Sequence, residues 1–537
     1  MAKVLKFFGL MFGTLAVLWG IRLVGIAFNG RQIASISIFS MFIYGTLLFG
    51  EFRLAFAFGG IAVLLGTNLL TVGRFTEAAN LKVIVFLIGM FLVIGFLEEN
   101  QFFEHIVGAI VGWVGPRPKT LLLVIMIMAT VSAALVDEVT SILFMTGTML
   151  HLTNKYKLNP VPFVIMLVFA TNIGSSASSI GNPIGVMIAL NAGFTFMEFL
   201  RWSAPIALVV NIVTYLICRW WFSDAFRQFS EAIETEHALS IQRQTERRAA
   251  RRAALVAVGV TAESEDESID ENPLGENYQF DGPSNQIGNL SIDVSRLICW
   301  VVFGATIALL MTHGLTERLL GRLCSATRSD GSYGLPEGTM MIAAALFMGC
   351  VVLILRRDKA RELVERRVDW WTLSFFMMLF ASVGTLEHTE VTKVIAERLV
   401  HGVGSRPFWM INIVGWATGW LSAFLDNVLA VATFMPVVRA VRVSAGRPYP
   451  EAIYWLMLFG GTFMGNMTTI GSTANIIAVG ILEKRGHGTV GFGYWMKIGV
   501  IVSIASMLVA TLLLGIQTHW FTSPLLPIPS ADLPMGT

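Results

Sequence analysis

The chain has 537 residues, a formal net charge of +2, 55% hydrophobic residues and only 14% charged ones, with a mean hydropathy of +0.68. Soluble domains carry about 25% charged residues, so this composition excludes that class and points to a polytopic membrane protein in a lipid bilayer. The small net charge, with Lys and Arg gathered in a few loops, offers no footprint for nucleic acid.

The first stretch, Met1 to Phe28, starts with Lys3 and Lys6 and runs on apolar without a clean cleavage pattern, so it reads as a spanning helix rather than a signal peptide. With about 20 apolar residues per span, Leu5 to Ala27, Ile33 to Gly50 and Leu54 to Leu70 are three leading helices in an N-terminal unit, 1–82. A second unit, 83–222, opens with a helix from Val83 to Leu97 that ends in Glu98-Glu99. It continues through an amphipathic stretch, Phe102 to Val114, and the turn Gly115-Pro116-Arg117-Pro118. An apolar hairpin follows, Thr120 to Leu150, then an apolar segment from Val161 to Leu190 interrupted at 171–183, and a helix from Ala204 to Phe222.

Residues 223–294 are a charged loop, basic at Arg247-Arg248 and acidic from Glu263 to Glu271; the acidic part has the composition of a disordered segment. Linking helices and a basic loop, Arg356 to Arg367, occupy 295–370. Then the pattern returns over 371–516, with a hairpin from Met410 to Val441 and an apolar segment from Tyr454 to Ile481 broken at 465–475. A tail, 517–537, closes the chain. The four cysteines, Cys218, Cys299, Cys324 and Cys350, show no paired spacing, so neither a disulfide framework nor a zinc site is expected. No resident cofactor or enzymatic activity is expected, and without a nucleotide-binding loop an ATP-driven pump is not expected either.

A single offset of 289 aligns the two similar units. It pairs Gly95 with Gly384, Glu98 with Glu387, Arg117 with Arg406, Pro118 with Pro407 and Asp137 with Asp426, and an offset of 290 puts Ile180-Gly181 on Ile470-Gly471. Apolar segments match by chance through Leu and Val, not through Gly, Pro, Arg and Asp, so this is an internal repeat. If each hairpin enters and leaves on one side, an odd number of crossings separates the copies. The fold class expected is therefore an all-α membrane protein of two inverted repeats with re-entrant hairpins and broken helices, about 11 crossings in all. The positive-inside rule places the N-terminus and the long charged loop in the cytoplasm, with Arg439, Arg442 and Arg447 as exceptions.

An ionisable residue inside a bilayer marks an ion or substrate pathway by default, and each hairpin carries one at its tip, Asp137 and Asp426. Around them, Thr140, Asn172, Ser178, Ser179 and Asn182 in the first copy, and Asn427, Asn466, Thr469, Ser472 and Asn475 in the second, supply neutral oxygens and amides. Such groups at unwound helix ends coordinate ions or substrate near the membrane midplane. A sodium ion at Asp137 and Asp426 is the expected occupant. For any one serine, close helix packing explains the residue as well as ligation does. Glu138 reads either as a second proton acceptor or as a side chain reaching solvent.

These motifs resemble the ion transporter superfamily, which holds the ArsB arsenite permeases, the NhaD sodium/proton antiporters, the melanosomal P protein and the divalent-anion/sodium symporters. The resemblance rests on Phe424-Leu425-Asp426-Asn427-Val428 and on Gly465-Asn466-Met467-Thr468-Thr469-Ile470-Gly471-Ser472-Thr473-Ala474-Asn475. It implies a scaffold domain and a mobile transport domain, an elevator-like movement and a homodimer. In the first copy the chain departs from the family pattern, reading Gly181-Asn182-Pro183-Ile184-Gly185 and Asp137-Glu138; these departures bear on the substrate, not the fold. The expected function is secondary transport in the plasma (inner) membrane. The first expectation is sodium/proton antiport, with sodium or the proton as coupling ion. The alternative is a coupled carrier for a small anion such as arsenite or a carboxylate.

Overall fold

The computed structural model describes residues 2–23, 28–49, 52–114, 117–257, 296–326, 334–403, 407–444, 449–488, 490–519, 522 and 525–526. Among them almost everything regular is helix, the exception being a two-residue antiparallel pairing of Tyr449 with Leu526 and Pro450 with Leu525. The leading helices are α1 (Ala2–Leu23), α2 (Gly30–Leu48) and α3 (Arg53–Gly66), followed by the short α4 (Val72–Ala78). Apolar side chains such as Phe12 and Trp19 on α1 stand exposed, as they do on a surface that faces hydrocarbon rather than water.

The first repeat contains α5 (Leu81–Glu99), α6 (Phe102–Val114), the hairpin α7 (Pro118–Leu135) and α8 (Glu138–Lys155), then α9 (Val161–Gly174) and α10 (Pro183–Ala192). After these come α11 (Phe196–Trp202), α12 (Ala204–Trp221) and α13 (Ser223–Ala257), then α14 (Arg296–Leu323), α15 (Thr339–Leu355) and α16 (Ala360–Arg367). The second repeat contains α17 (Trp370–His388), α18 (Val391–Val403), the hairpin α19 (Pro407–Phe424) and α20 (Asn427–Ser444), then α21 (Ala452–Phe463), α22 (Thr473–Lys484) and finally α23 (Phe492–Gln517). Every boundary of α5 to α8 recurs in α17 to α20 at a displacement of 289 residues. The repeat read from sequence is thus a repeat of structure, and it adds α18, the counterpart of α6, which sequence reading passed over.

Local chemistry sets the ends. Asp137 caps α8, accepting from the backbone N–H groups of Val139 at 2.7 Å and Thr140 at 2.9 Å. Asn182 caps α10, accepting from Gly185 N at 2.7 Å, with Pro183 at the first helical position where its missing N–H costs nothing. Ser472 caps α22, accepting from Ala474 N at 3.2 Å. These caps break the long apolar segments, because a side-chain oxygen takes the N–H groups that a continuous helix would use. At the crossing point between break and hairpin only a glycine fits: a Cβ on Gly471 would lie 2.5 Å from Gly465 O and 3.0 Å from Ser422 O, and Gly181 is packed the same way against Ser175 O and Ala133 O.

The expected count of about 11 crossings is not reached by length and composition. Eight helices among the described residues are long and apolar enough to span, or nine if α10 and α11, bent by 108°, form one. The reason is that the broken segments are two short helices each, and that α3 has only 14 residues, about 21 Å of helix. The basic part of the charged loop is helical, as α13; its acidic part lies outside the described residues, as do Gly115, Pro116, Gly404, Ser405, Arg406, Arg447 and the end of the tail.

Candidate functional site

The two hairpin tips and the two breaks converge on one buried cluster. Its centre is Glu138, the first residue of α8, only 4% exposed. This side chain does not reach solvent. Glu138 Oε1 accepts from Asn427 Nδ2 at 3.0 Å and from Ser472 Oγ at 3.4 Å, and Oε2 accepts from Ser175 Oγ at 3.0 Å. One carboxylate thereby touches its own break, the opposite tip and the opposite break. Its backbone N–H donates to Gly181 O at 3.2 Å, which fixes the tip against the first break.

Around it Asn172 ties the copies together. Its Nδ2 donates to Asn466 Oδ1 at 2.7 Å and to Asn475 Oδ1 at 2.8 Å, while its Oδ1, 3.0 Å from Ser472 Oγ, shares that hydroxyl's single hydrogen with Glu138. Asn475 Nδ2 donates in turn to Gly465 O at 2.9 Å and Thr468 O at 2.7 Å, holding the second break in its unwound shape. Asn182 Nδ2 donates to Ser175 Oγ at 2.8 Å. Trp495 Nε1, on α23, donates to Asn466 O at 2.9 Å. Buried amides need partners, and here they find them mainly across the repeat boundary.

Of the residues singled out from sequence, Asn172, Asn182, Asn427, Asn466, Ser472 and Asn475 thus meet in one network. Asp137 and Asp426 lie beside it, half-buried. Asp426 Oδ1 accepts from Val428 N at 3.0 Å and its Oδ2 from Thr473 Oγ1 at 3.1 Å, so both aspartates serve the first turn of a helix. Ser178 Oγ donates to Ala134 O, and its counterpart Thr468 Oγ1 donates to Ala423 O, each stitching a break to its hairpin. Ser179 is buried with no described partner for its hydroxyl. Thr140 and Thr469 are half-buried at the rim, and among the described residues their hydroxyls make none of the bonds that join the copies. Sequence reasoning did not select Ser175, and left Glu138 undecided; the offset of 289, which sets Glu138 on Asn427, was the available signal.

The arrangement can hold charge. α8, α10, α20 and α22 all begin at this junction, and helix N-termini carry partial positive charge. Among the described residues no Lys, Arg or His forms an ion pair with Glu138, Asp137 or Asp426, and no cluster of three metal-ligating side chains of the His, Cys, Asp and Glu types is present. A carboxylate buried among neutral donors is what a small mobile cation or a proton would neutralise.

A model of the citrate transporter family matches residues 39–460 and, in a second register, 337–528. The chain belongs to the citrate transporter family. It is 25% identical over 442 residues to a 46 kDa membrane protein of Mycobacterium leprae, covering 81% of this chain and 86% of that one. It is 24% identical over 478 residues to the human P protein, covering 82% of this chain but only 54% of the P protein. Its fold is similar to the crystal structure of the Alcanivorax borkumensis YdaH transporter, described as having an unusual topology, with a TM-score of 0.52, 15% identity, and 85% of this chain and 88% of that one covered. Membership of this family, together with the apolar spans, makes the chain an integral membrane transporter.

Proposed function

We propose that this member of the citrate transporter family is a secondary transporter that exchanges a monovalent cation, sodium first, for protons by alternating access. The observation that carries this reading is Glu138, a buried carboxylate at the meeting point of the two repeats whose described partners are all neutral. Burying a bare charge is costly unless an ion or proton accompanies it, so a carboxylate there alternates between carriers rather than standing empty. Asp137 and Asp426 flank it with two further carboxylates. The resemblance supports a homodimer in the plasma (inner) membrane, with the N-terminus and α13 on the cytoplasmic side.

The test is purified protein in liposomes, with internal pH followed while sodium, lithium, potassium, arsenite and citrate are added in turn. Sodium- or lithium-evoked proton movement that is lost in Glu138→Gln supports exchange. A second reading, a coupled carrier of a small anion, is favoured by the family itself and by the four helix N-termini at the junction. A response to one anion and none to cations would select it.

A further inference from the structure

Away from the junction, a cavity of about 370 Å³ opens where the ends of α10 and α20 face α17 and the start of α5. Its volume falls at the lower end of the range of about 300–1,000 Å³ typical of organic ligand sites. The buried end is apolar, lined by Met187, Phe380, Val383 and Met435. α10 and α20 lead from the Glu138 junction to this end: Met187 and Ala432, which line it, each lie five residues beyond Asn182 and Asn427, about 7.5 Å of helix.

The other end is charged, with Glu77, Lys82, Glu387 and Arg439 in its lining. Arg439 donates to Glu387 at 3.3 Å and to Asn191 at 2.5 Å. Its hold on Glu387 is one long contact between partly exposed side chains, not the paired fork that makes such ion pairs strong. Lys82 is exposed and, among the described residues, forms no ion pair, while Glu77 also lies within electrostatic reach of His388. The first turn of α5, which has no side-chain cap, adds the partial positive charge of a helix N-terminus.

The repeat shows that the scaffold does not require these groups. The offsets of 289 and 290 set Lys82 on Trp371, Arg439 on Leu150 and Asn191 on Ile481. Arg439 also stands against the positive-inside rule in the expected topology. Basic and amide groups that face one cavity, and whose repeat mates are apolar, serve something other than helix packing.

We propose that this cavity binds a small monocarboxylate with an apolar body, the carboxylate between Lys82 and Arg439 and the body against Met187, Phe380 and Met435. The incoming carboxylate takes Arg439 from Glu387, exchanging one long contact for a paired one. Lys82, a positive charge without an ion-pair partner, balances one anionic group. A tricarboxylate would set two further negative charges against Glu77 and Glu387. The site is separate from the Glu138 junction and stands whichever ion the pathway carries.

The test is equilibrium binding of radioactive benzoate to the purified full-length protein, with competition by benzamide, decanoate, citrate and inorganic phosphate. Benzoate should bind saturably, and benzamide, citrate and phosphate should each compete about tenfold or more weakly than unlabelled benzoate. Lys82→Gln and Arg439→Gln should each weaken benzoate binding about tenfold or more, the equivalent of one charged hydrogen bond. Glu387→Gln should tighten it severalfold by releasing Arg439, a gain that a merely structural ion pair would not give. Thermal melting and gel filtration check that each variant is folded, and Lys82→Gln, at an exposed position, carries the test if the Arg439 variant is not. Failure of both benzoate and decanoate to bind the wild type would overturn the site, as would unchanged affinity in folded Lys82→Gln and Arg439→Gln. Citrate binding more tightly than benzoate would overturn the ligand class. Loss of benzoate binding in folded Glu138→Gln would put the acid at the junction and overturn a separate site. Decanoate binding that is lost in Lys82→Gln, with no benzoate binding, would keep the site and give it an acid drawn from the bilayer.

Discussion

Glu138 and Asn427 occupy the same position in the two repeats and hydrogen-bond each other, Asn427 Nδ2 donating to Glu138 Oε1 at 3.0 Å across a separation of 289 residues. Asn427→Leu leaves a buried carboxylate short of a donor, a loss of about 1–3 kcal/mol, and should lower the melting temperature and transport together. Asn427→Asp is expected to be worse near and above neutral pH, because two carboxylates in contact cannot both ionise. Melting curves at two pH values for the two variants check the order.

Asp137 separates the effect of a cap from that of a charge. Asp137→Ala removes the acceptor for Val139 N and Thr140 N and should cost about 0.5–2 kcal/mol, whereas Asn caps about as well as Asp. Asp137→Asn should therefore melt close to the wild type. Transport lost in Asp137→Asn despite an unchanged melting point reports the charge alone.

Gly471→Ala should prevent the second break from seating on its hairpin, since the added methyl would meet Gly465 O and Ser422 O. Overpacking of this kind costs about 1–3 kcal/mol. The variant is expected to give a lower yield of monodisperse protein, and Gly480→Ala, where a Cβ meets nothing within 4 Å, is the control.

Arg439 joins three elements outside the central network. From α20 it donates to Glu387 on α17 at 3.3 Å and to Asn191 on α10 at 2.5 Å, beside a cavity of about 370 Å³ that Lys82 also lines. The ion pair is partly exposed, so it is worth about 0–1 kcal/mol. Arg439→Ala should leave the melting point nearly unchanged and alter the transport rate. The charge-swapped pair Arg439→Glu with Glu387→Arg should recover part of that change.

Glu451, between α20 and α21, is held well above the usual carboxylate range, at about 7, first by burial and then by the negative charge of Glu198. A carboxyl that binds its proton more tightly when folded favours the folded state at low pH. That contribution is full below the ordinary value of 4.5 and is lost as pH rises towards 7. Glu451→Gln should flatten the decline in melting temperature over this window, measured by melting curves at stepped pH.

The repeat, the hairpins and the breaks were legible because they rest on residues with few uses inside a membrane: Gly181 and Gly471 for close approach, Asp137 and Asp426 as caps, Pro183 at a helix start. Glu138 was harder to place. A carboxylate in the first turn of a helix ordinarily complements the helix dipole, and nothing local shows that this one points inward. Ser175 was hidden among the four serines between 175 and 179 in the first break, where packing alone explains such residues. Crossing number was least legible, since it depends on which short helices span.

The single carboxylate on the junction also says something about descent. Two identical halves carry the same residue at positions 138 and 427, and copies of either present residue would give two carboxylates or two amides. Two carboxylates in hydrogen-bonding contact would have had to share a proton, and two amides would have held no charge at all. A chain with one of each exists only because the duplicated halves ceased to be identical. The symmetry of the scaffold is inherited, and the charge at its centre is a departure from it.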